Sequence, residues 1–360
     1  MSSPAQRPGR PARIVHVMVL DKFIPRFIEF VGEHFDLAEH RFCLMGPPRY
    51  EHGLTTEHPV SWVASAEDNV DFVATLHAAE RIFIHGLWSE QVNRILYALP
   101  ALARKAHWIV WGGDFYQPIP TEPSPGWLHQ EIIRQGVISN LEGLVGVPGD
   151  LVMVQKRYKG PSRHSDAFVY PSNLAPLHVP PPTPHEGVNV LVGNSATETN
   201  CHLDAFALIA RHDRGDIQVH CPLSYGDTRY RDIVIANGRA LFGNRFHPMM
   251  DMLPLAAYQA FLGGIDIAVM HHNRQQGMGN LISLLTLGKK VYMRPEQTHT
   301  RFFNQLGLAT YDIREFDPAP MPEDVLSRNM DIARNHFSAD NLARDLSGLF
   351  QQARRQRAAA

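Results

Sequence analysis

The chain has 360 residues, more than the roughly 250 to 300 at which one hydrophobic core usually stops growing, so two domains are expected. Apolar residues make up 44% and charged residues 19%, ordinary globular usage that excludes a disordered or fibrous chain. The net charge of −2 supplies no global field that would draw nucleic acid, so none is expected as a partner. Cys43, Cys201 and Cys221 show neither CxxC spacing nor an even count, and are read as small buried apolar residues rather than a disulfide framework or zinc site.

The first residues, 1–12, are rich in Ser, Pro and Arg without the apolar core of a signal peptide, and are read as a disordered start. No run reaches the roughly 18 to 20 apolar residues that crossing a bilayer requires, so the expected location is the cytoplasm, with any membrane contact peripheral. Residues 13–170 carry short β-rich runs at 14–20, 41–46, 81–86, 107–112 and 167–170, separated by helix-length segments. This alternation predicts a Rossmann-like α/β domain. Two of the runs end in Phe83-Ile84-His85-Gly86 and Trp111-Gly112-Gly113-Asp114, and ligands of open α/β sheets bind beyond the carboxyl ends of strands.

Residues 171–187 hold many prolines, which deny backbone donors and discourage helix and interior strand; they are read as a linker. In 188–335 the pattern restarts with strand-like runs at 188–192, 217–221, 265–271 and 290–293, predicting a second Rossmann-like domain facing the first across a cleft. The chain after Pro322 reads as amphipathic helix through Val325, Leu326, Ile332 and Phe337. Residues 336–360 supply a last helix and a basic tail with Arg354, Arg355 and Arg357, either a solvated end or a contact for anionic headgroups. Lys156, Arg157, Tyr158, Lys159 and Arg163 form a second basic group, read the same two ways.

The sharpest local signal is the strand at 188–192 running into Gly193-Asn194-Ser195-Ala196-Thr197, then an apolar helix from about His202. Exposed N–H groups at such a helix start bind phosphate oxygens, and ordinary capping produces the same pattern. Arg274-Gln275-Gln276-Gly277-Met278-Gly279-Asn280 forms a second such turn before another apolar helix. There the amides and Arg274 could stabilise a departing nucleoside diphosphate without a metal ion. Tyr225, after the strand at 217–221, and Glu296, after 290–293, are further candidates for contacts to the donor.

A group is also needed to take the acceptor's hydroxyl proton. Asp21, His85 and Asp114 stand at predicted strand ends and are the candidates, Asp21 the favoured one. The two aspartates could equally serve as helix caps, and His85 as a buried support for its turn. Neither His-Glu-x-x-His nor Asp-x-Asp occurs, and no bound metal or cofactor is expected.

With Trp111-Gly112-Gly113-Asp114-Phe115-Tyr116, Leu191-Val192-Gly193-Asn194-Ser195 and Arg274-Gln275-Gln276-Gly277-Met278-Gly279 in this order, the chain resembles glycosyltransferase family 56 over nearly its whole length. The resemblance implies the GT-B fold and an inverting, metal-independent transfer of 4-acetamido-4,6-dideoxygalactose from a TDP donor to an undecaprenyl-diphosphate-linked glycan, as in enterobacterial common antigen synthesis. It places the donor on the second domain, the acceptor on the first, and the enzyme on the cytoplasmic face of the inner membrane. Where many GT-B enzymes carry a glutamate that grips the ribose diol, Leu284 stands here, which suits deoxyribose. The alternatives are a transferase of another nucleotide deoxy sugar, for O-antigen or capsule, or a nucleotide-sugar epimerase or hydrolase of the same fold.

Overall fold

The computed structural model describes residues 12–357 apart from 117, 118, 162, 179, 182 and 183, and the side chains of 352–357 are outside what it describes. The expected disordered start therefore lies outside the described residues except for Ala12, as do the arginine side chains of the basic tail. The chain forms two compact units, one running to Ser172 and resuming at Leu342, the other spanning Asn173–Asn341.

The first unit is built on seven strands, β1 (Ile14–Met18), β2 (His40–Met45), β3 (Val60–Val63), β4 (Arg81–His85), β5 (Ala106–Ile109), β6 (Gly143–Gly146) and β7 (His164–Asp166). They lie in the order β3-β2-β1-β4-β5-β6-β7, every neighbouring pair parallel. The second unit holds β8 (Val188–Val192), β9 (Ile217–Pro222), β10 (Phe246–Met249), β11 (Ile267–Met270), β12 (Lys290–Met293) and β13 (Tyr311–Asp312). Their order is β10-β9-β8-β11-β12-β13, again all parallel. Helices cover such sheets on both sides, so the central strands read as nearly unbroken apolar runs.

The run expected as a strand at 167–170 is irregular. β7 ends at Asp166, one further bond joins Ala167 N–H to the Gly146 carbonyl at 3.2 Å, and Pro171 follows. Val169 and Tyr170 are apolar because they are buried, not because they pair. Five strands escape a reading by apolar run, among them β7, the mostly exposed His-Ser-Asp segment. β3 is half-buried, β6 is Gly-Leu-Val-Gly, β10 contains Pro248, and β13 has two residues.

In the first unit the sheet divides its side chains by the period of two. Val15, Val17, Ile82, Ile84 and Trp108 join a core with Phe72, Leu76, Val92, Leu96, Ile133 and Val137 from helices. The other face carries His16, Phe42 and Phe83, whose rings meet Phe27 of the helix Ile24–His34 and Phe350 of the helix Ala339–Arg357. In that last helix Leu342, Leu346, Leu349 and Phe350 are buried, a helical stripe. Arg81, itself buried, donates from Nη1 to the Leu349 carbonyl at 3.1 Å.

Phe350 also contacts Phe35 and His40, with ring centroids 5.0 and 4.8 Å away. Phe350→Ala is expected to destabilise the first unit by about 3 to 5 kcal/mol, read as a lower denaturant midpoint at unchanged slope. A native midpoint would mean that the final helix does not hold this face.

Candidate active site

In the second sheet the chain runs outward from β8 to β9 and β10 on one side, and from β11 to β12 and β13 on the other. The order reverses between β8 and β11, and beyond the carboxyl ends of those strands lies the place where open α/β sheets bind ligands. The turn after β8 begins at Gly193, with φ +69°, and a Cβ there would stand 2.6 Å from His202 Nε2. Only glycine fits. The next N–H, of Asn194, donates to Asn200 Oδ1 at 2.9 Å, and the chain passes through a short 3-10 turn at Glu198–Asn200 before the helix His202–Ala210 begins. The helix begins at His202, as expected, and the glycine turn reaches it through a polar loop. Asn200 Nδ2 ties that loop together, donating to Ser195 Oγ at 3.1 Å and Thr197 Oγ1 at 2.7 Å.

After β11 the expected arrangement does form. Gly277 caps the helix Met278–Thr286, whose first internal bond runs from Leu281 N–H to the Gly277 carbonyl at 3.0 Å. The N–H groups of Met278, Gly279 and Asn280 precede that bond and have no acceptor in the helix. The two turns are joined. Thr199 Oγ1 donates to Gln276 Oε1 at 2.8 Å, and Gln276 Nε2 donates to Asn194 Oδ1 at 3.5 Å. Asn194 Nδ2 also donates to Tyr225 Oη at 3.0 Å, bringing in the loop after β9. Arg274 is half-buried and donates from Nη1 to the Gln275 carbonyl at 3.3 Å. Gln275 is buried, and Asn280 Nδ2 donates to Tyr258 Oη at 3.0 Å. Glu296, after β12, is exposed. Leu284 is fully buried, so it meets no ligand and says nothing about a ribose.

Beneath these turns lie His202, His272 and His299, all fully buried. Burial depresses His202 and His299 to about 4. Burial first, then His299, His202 and Arg274, holds His272 well below the usual imidazole range. The imidazoles are neutral, so positive potential at the turn comes from the helix end and Arg274.

In the first sheet the order reverses between β1 and β4, and the three expected base candidates fall at the carboxyl edge, His85 as the last residue of β4, Asp21 beyond β1 and Asp114 in the short helix Gly112–Phe115 after β5. Asp114 is buried, with Oδ2 accepting from Leu87 N–H at 2.8 Å and Trp108 Nε1 at 2.7 Å, and Oδ1 accepting from Trp111 N–H at 2.9 Å. Burial lifts its carboxyl to about 7 against the pull of Arg134 and these donors. It latches the loops after β4 and β5. His85 is buried with both ring nitrogens engaged, Nδ1 with Tyr170 Oη at 2.7 Å and Nε2 with His16 Nδ1 at 3.1 Å. His16 Nε2 continues to His40 Nδ1 at 3.0 Å, and Trp111 Nε1 donates to Tyr170 Oη at 2.8 Å. Asp21 differs from both. It is half-buried, Oδ1 accepts from Phe23 N–H at 3.2 Å, and Oδ2 takes no hydrogen bond among the described residues.

The basic group at 156–163 is partly consumed within this unit. Arg157 donates to the Phe115 carbonyl at 3.3 Å and pairs with Glu131, and Arg163 pairs with Glu142. Lys156 and Lys159 are exposed. Among the described residues no helix is long and apolar enough to cross a membrane.

Sequence reasoning missed His16, His40 and Tyr170. The available signal was a histidine in the middle of an apolar strand, Ile14-Val15-His16-Val17-Met18, because a buried imidazole needs partners.

The model of the family described as 4-alpha-L-fucosyltransferase, glycosyl transferase group 56, matches residues 61–309. Among solved structures the chain is similar to a glycosyltransferase from Rickettsia africae, with a TM-score of 0.69 at 10% identity, covering 96% of this chain and 99% of that one. It is also similar to WaaG, a glycosyltransferase involved in lipopolysaccharide biosynthesis, with a TM-score of 0.60 at 10% identity and coverage of 94% and 99%. HepE of Anabaena, solved in complex with UDP and glucose, gives a TM-score of 0.63 at 10% identity, again covering 94% and 99%. At these identities the likeness is one of fold, and the fold is GT-B.

The buried imidazoles of the first unit set an acid limit. Unfolded histidine titrates near 6.5, whereas burial holds native His40 and His85 at about 4 and about 3, and holds His16 well below the usual imidazole range. Between those values only the unfolded chain binds the protons. Stability is therefore complete above about pH 6.5 and falls below it by about 1.4 kcal/mol per pH unit for each ring. Asp114, raised from 3.8 to about 7, has the opposite sign, its ionisation costing stability as pH rises through that range. With His107, likewise buried and held at about 3, four rings outweigh one carboxyl, so denaturant midpoints should drop steeply from about pH 6.5 to about pH 5. A flat profile would mean that the rings are not neutral in the native state.

Proposed function

The chain belongs to the 4-alpha-L-fucosyltransferase family, glycosyl transferase group 56, and from that premise we propose an inverting, metal-independent transfer of 4-acetamido-4,6-dideoxygalactose from TDP to an undecaprenyl-diphosphate-linked glycan of the bacterial envelope. That it is a glycosyltransferase of GT-B fold follows from the family and the fold. The donor, the acceptor, the stereochemistry, metal independence and a site of action on the cytoplasmic face of the inner membrane belong to this proposal.

The observation that supports it best is the joining of two turns at the switch point of the second sheet. Gln276 bonds both Thr199 and Asn194, which fixes the Gly277 helix end relative to the loop after β8. A diphosphate placed there faces the N–H groups of Met278, Gly279 and Asn280, with Arg274 beside them. These groups are held in place before charge develops, which is where electrostatic stabilisation is most effective. Thr199 and Gln276 act by positioning the turn.

In the reaction the acceptor hydroxyl gives its proton to the Asp21 carboxylate as its oxygen bonds the anomeric carbon. The bond from that carbon to the β-phosphate oxygen breaks with its electron pair, and TDP leaves carrying the added negative charge toward the helix end. Asp21 is assigned as the base because one of its oxygens takes no hydrogen bond among the described residues, whereas Asp114 accepts three and both nitrogens of His85 are engaged.

A melting panel of TDP, UDP, GDP and ADP, with and without magnesium, is expected to show the largest stabilisation by TDP and no need for the metal. Preference for another nucleotide would move the donor to a different nucleotide sugar while leaving the site in place. Asp21→Asn should lower turnover by about two to four orders of magnitude and keep the TDP shift. Near-native turnover in that variant would remove Asp21 from the reaction.

Arg274→Ala should both weaken the TDP shift and slow transfer by roughly 10²-fold, with no recovery on adding magnesium. Kinetics and shifts identical to the native chain would exclude Arg274 from the diphosphate site.

A further inference from the structure

On the loop after β4, Trp88 is 41% exposed, a large apolar side chain left in water at the carboxyl edge of the first sheet. Its indole lies against two glycines. A Cβ on Gly86 would stand 2.0 Å from Trp88 Nε1, and one on Gly113 2.7 Å from Trp88 Cη2. The pyrrole end thus rests on the loop after β4 and the benzo end on the loop after β5, and any side chain at either glycine would push the ring away. Gly86 also has φ +84°, a conformation that other residues adopt only under strain. The ring is seated, not simply uncovered.

Trp111 stands at right angles to it, the two indoles 6.2 Å apart at 88°, and Phe23 meets Trp111 at 5.5 Å. Trp111 is held from behind by its bond to Tyr170. Next to Trp88 in the chain, Leu87 and Ser89 line a small cavity at the β1 to β4 switch point, together with Gly86, Val17, Val19 and Asn93. Asn93 is 9% exposed, and its Oδ1 is a buried acceptor with no hydrogen-bond partner among the described residues. A buried amide oxygen without a donor is costly and calls for a ligand or solvent hydroxyl.

We propose that Trp88 is the stacking surface of a saccharide subsite in the first unit, on which a pyranose ring of the acceptor glycan lies with a hydroxyl directed to Asn93 Oδ1. This rests on the transferase reading above. A pyranose presents a face of C–H bonds whose partial positive charge matches the negative face of an indole, and hydroxyls at its edge that need acceptors. An acyl chain needs neither a seated ring nor a buried acceptor. Insertion into a membrane surface uses apolar side chains that project from a basic face, whereas this ring is seated against Gly86 and Gly113.

The direct test labels the chain with 5-fluorotryptophan, assigns Trp88 with the Trp88→Phe variant, and titrates with a short-chain prenyl-diphosphate-linked disaccharide of N-acetylhexosamines. The Trp88 fluorine resonance should move with the disaccharide and stay in place with the same prenyl diphosphate lacking sugar. A resonance unmoved by the disaccharide, or moved equally by the sugar-free lipid, overturns the proposal, the second result pointing to a lipid contact. In transfer assays Trp88→Leu should raise the acceptor KM by about tenfold or more and leave the TDP melting shift native, with Trp88→Phe recovering most of the loss. A native acceptor KM in Trp88→Leu also overturns it. If Trp88→Leu does not fold, the resonance of the native ring decides alone. Should the native chain transfer nothing to the disaccharide, the reading of its function fails, while the Trp88 resonance still reports whether the saccharide binds.

Discussion

The indole N–H of Trp111 can donate a hydrogen bond and cannot accept one, and this asymmetry orders the interior of the first unit. Because Tyr170 Oη receives that proton, its own hydrogen goes to His85 Nδ1. His85 then carries its proton on Nε2 and donates to His16 Nδ1, and His16 in turn donates to His40 Nδ1. Every member is satisfied while neutral, and burial keeps each ring neutral. A second protonation anywhere along the chain would set two donors against each other. The line runs from the carboxyl end of β4, through the middle of β1, to the first residue of β2, so one set of tautomers ties together the neighbouring strands β4, β1 and β2. It also fixes the back of the Trp111 ring.

The same topological rule gives the two units different chemistry. In each sheet the strand order reverses beside the first strand, opening a place beyond the carboxyl ends. In the second unit that place is filled with small polar side chains and backbone amides, Asn194, Ser195, Thr197, Thr199, Gln276 and the Gly277 helix end, suited to an anion. In the first it carries aromatic rings and a half-buried carboxylate. Asp114 belongs to the scaffold of the latter. Its two oxygens accept three N–H donors, and burial is the largest cause of its raised pKa.

Much of this was legible in the residues, for identifiable reasons. Central strands such as β8 and β12 are buried on both faces and stand out as apolar runs between polar turns, and their bounds were read exactly. Edge strands β3, β10 and β13 are half-solvated, short or interrupted by proline, so their composition is that of a loop. At the turns after β8 and β11 the glycines and short polar residues were legible, yet the side-chain bonds that join the two turns link residues about 80 positions apart and have no local signature. The three proton-acceptor candidates were harder to tell apart. Asp21, His85 and Asp114 look alike as polar residues at strand ends, and only the partners of each, brought in by β1, β4, β5 and Tyr170, separate an open carboxylate from a latch and a relay. Trp88 gave no sign, because what seats it is a pair of glycines that sequence reading assigns to turns.

The neutrality of the histidines beneath the donor turn follows the same economy of charge. A protonated imidazole at His272 would be a buried cation near Arg274 with no carboxylate paired to it among the described residues, and an unpaired buried charge costs several kcal/mol. A helix end carries no net charge, so its N–H groups can wait for an anion without that penalty, and their partial positive charge is already oriented. Arg274 is only half-buried and keeps part of its hydration. A turn that combines one such arginine with a helix N-terminus thus presents positive potential at little expense to folding, and the neutral rings below it fill volume without adding charge.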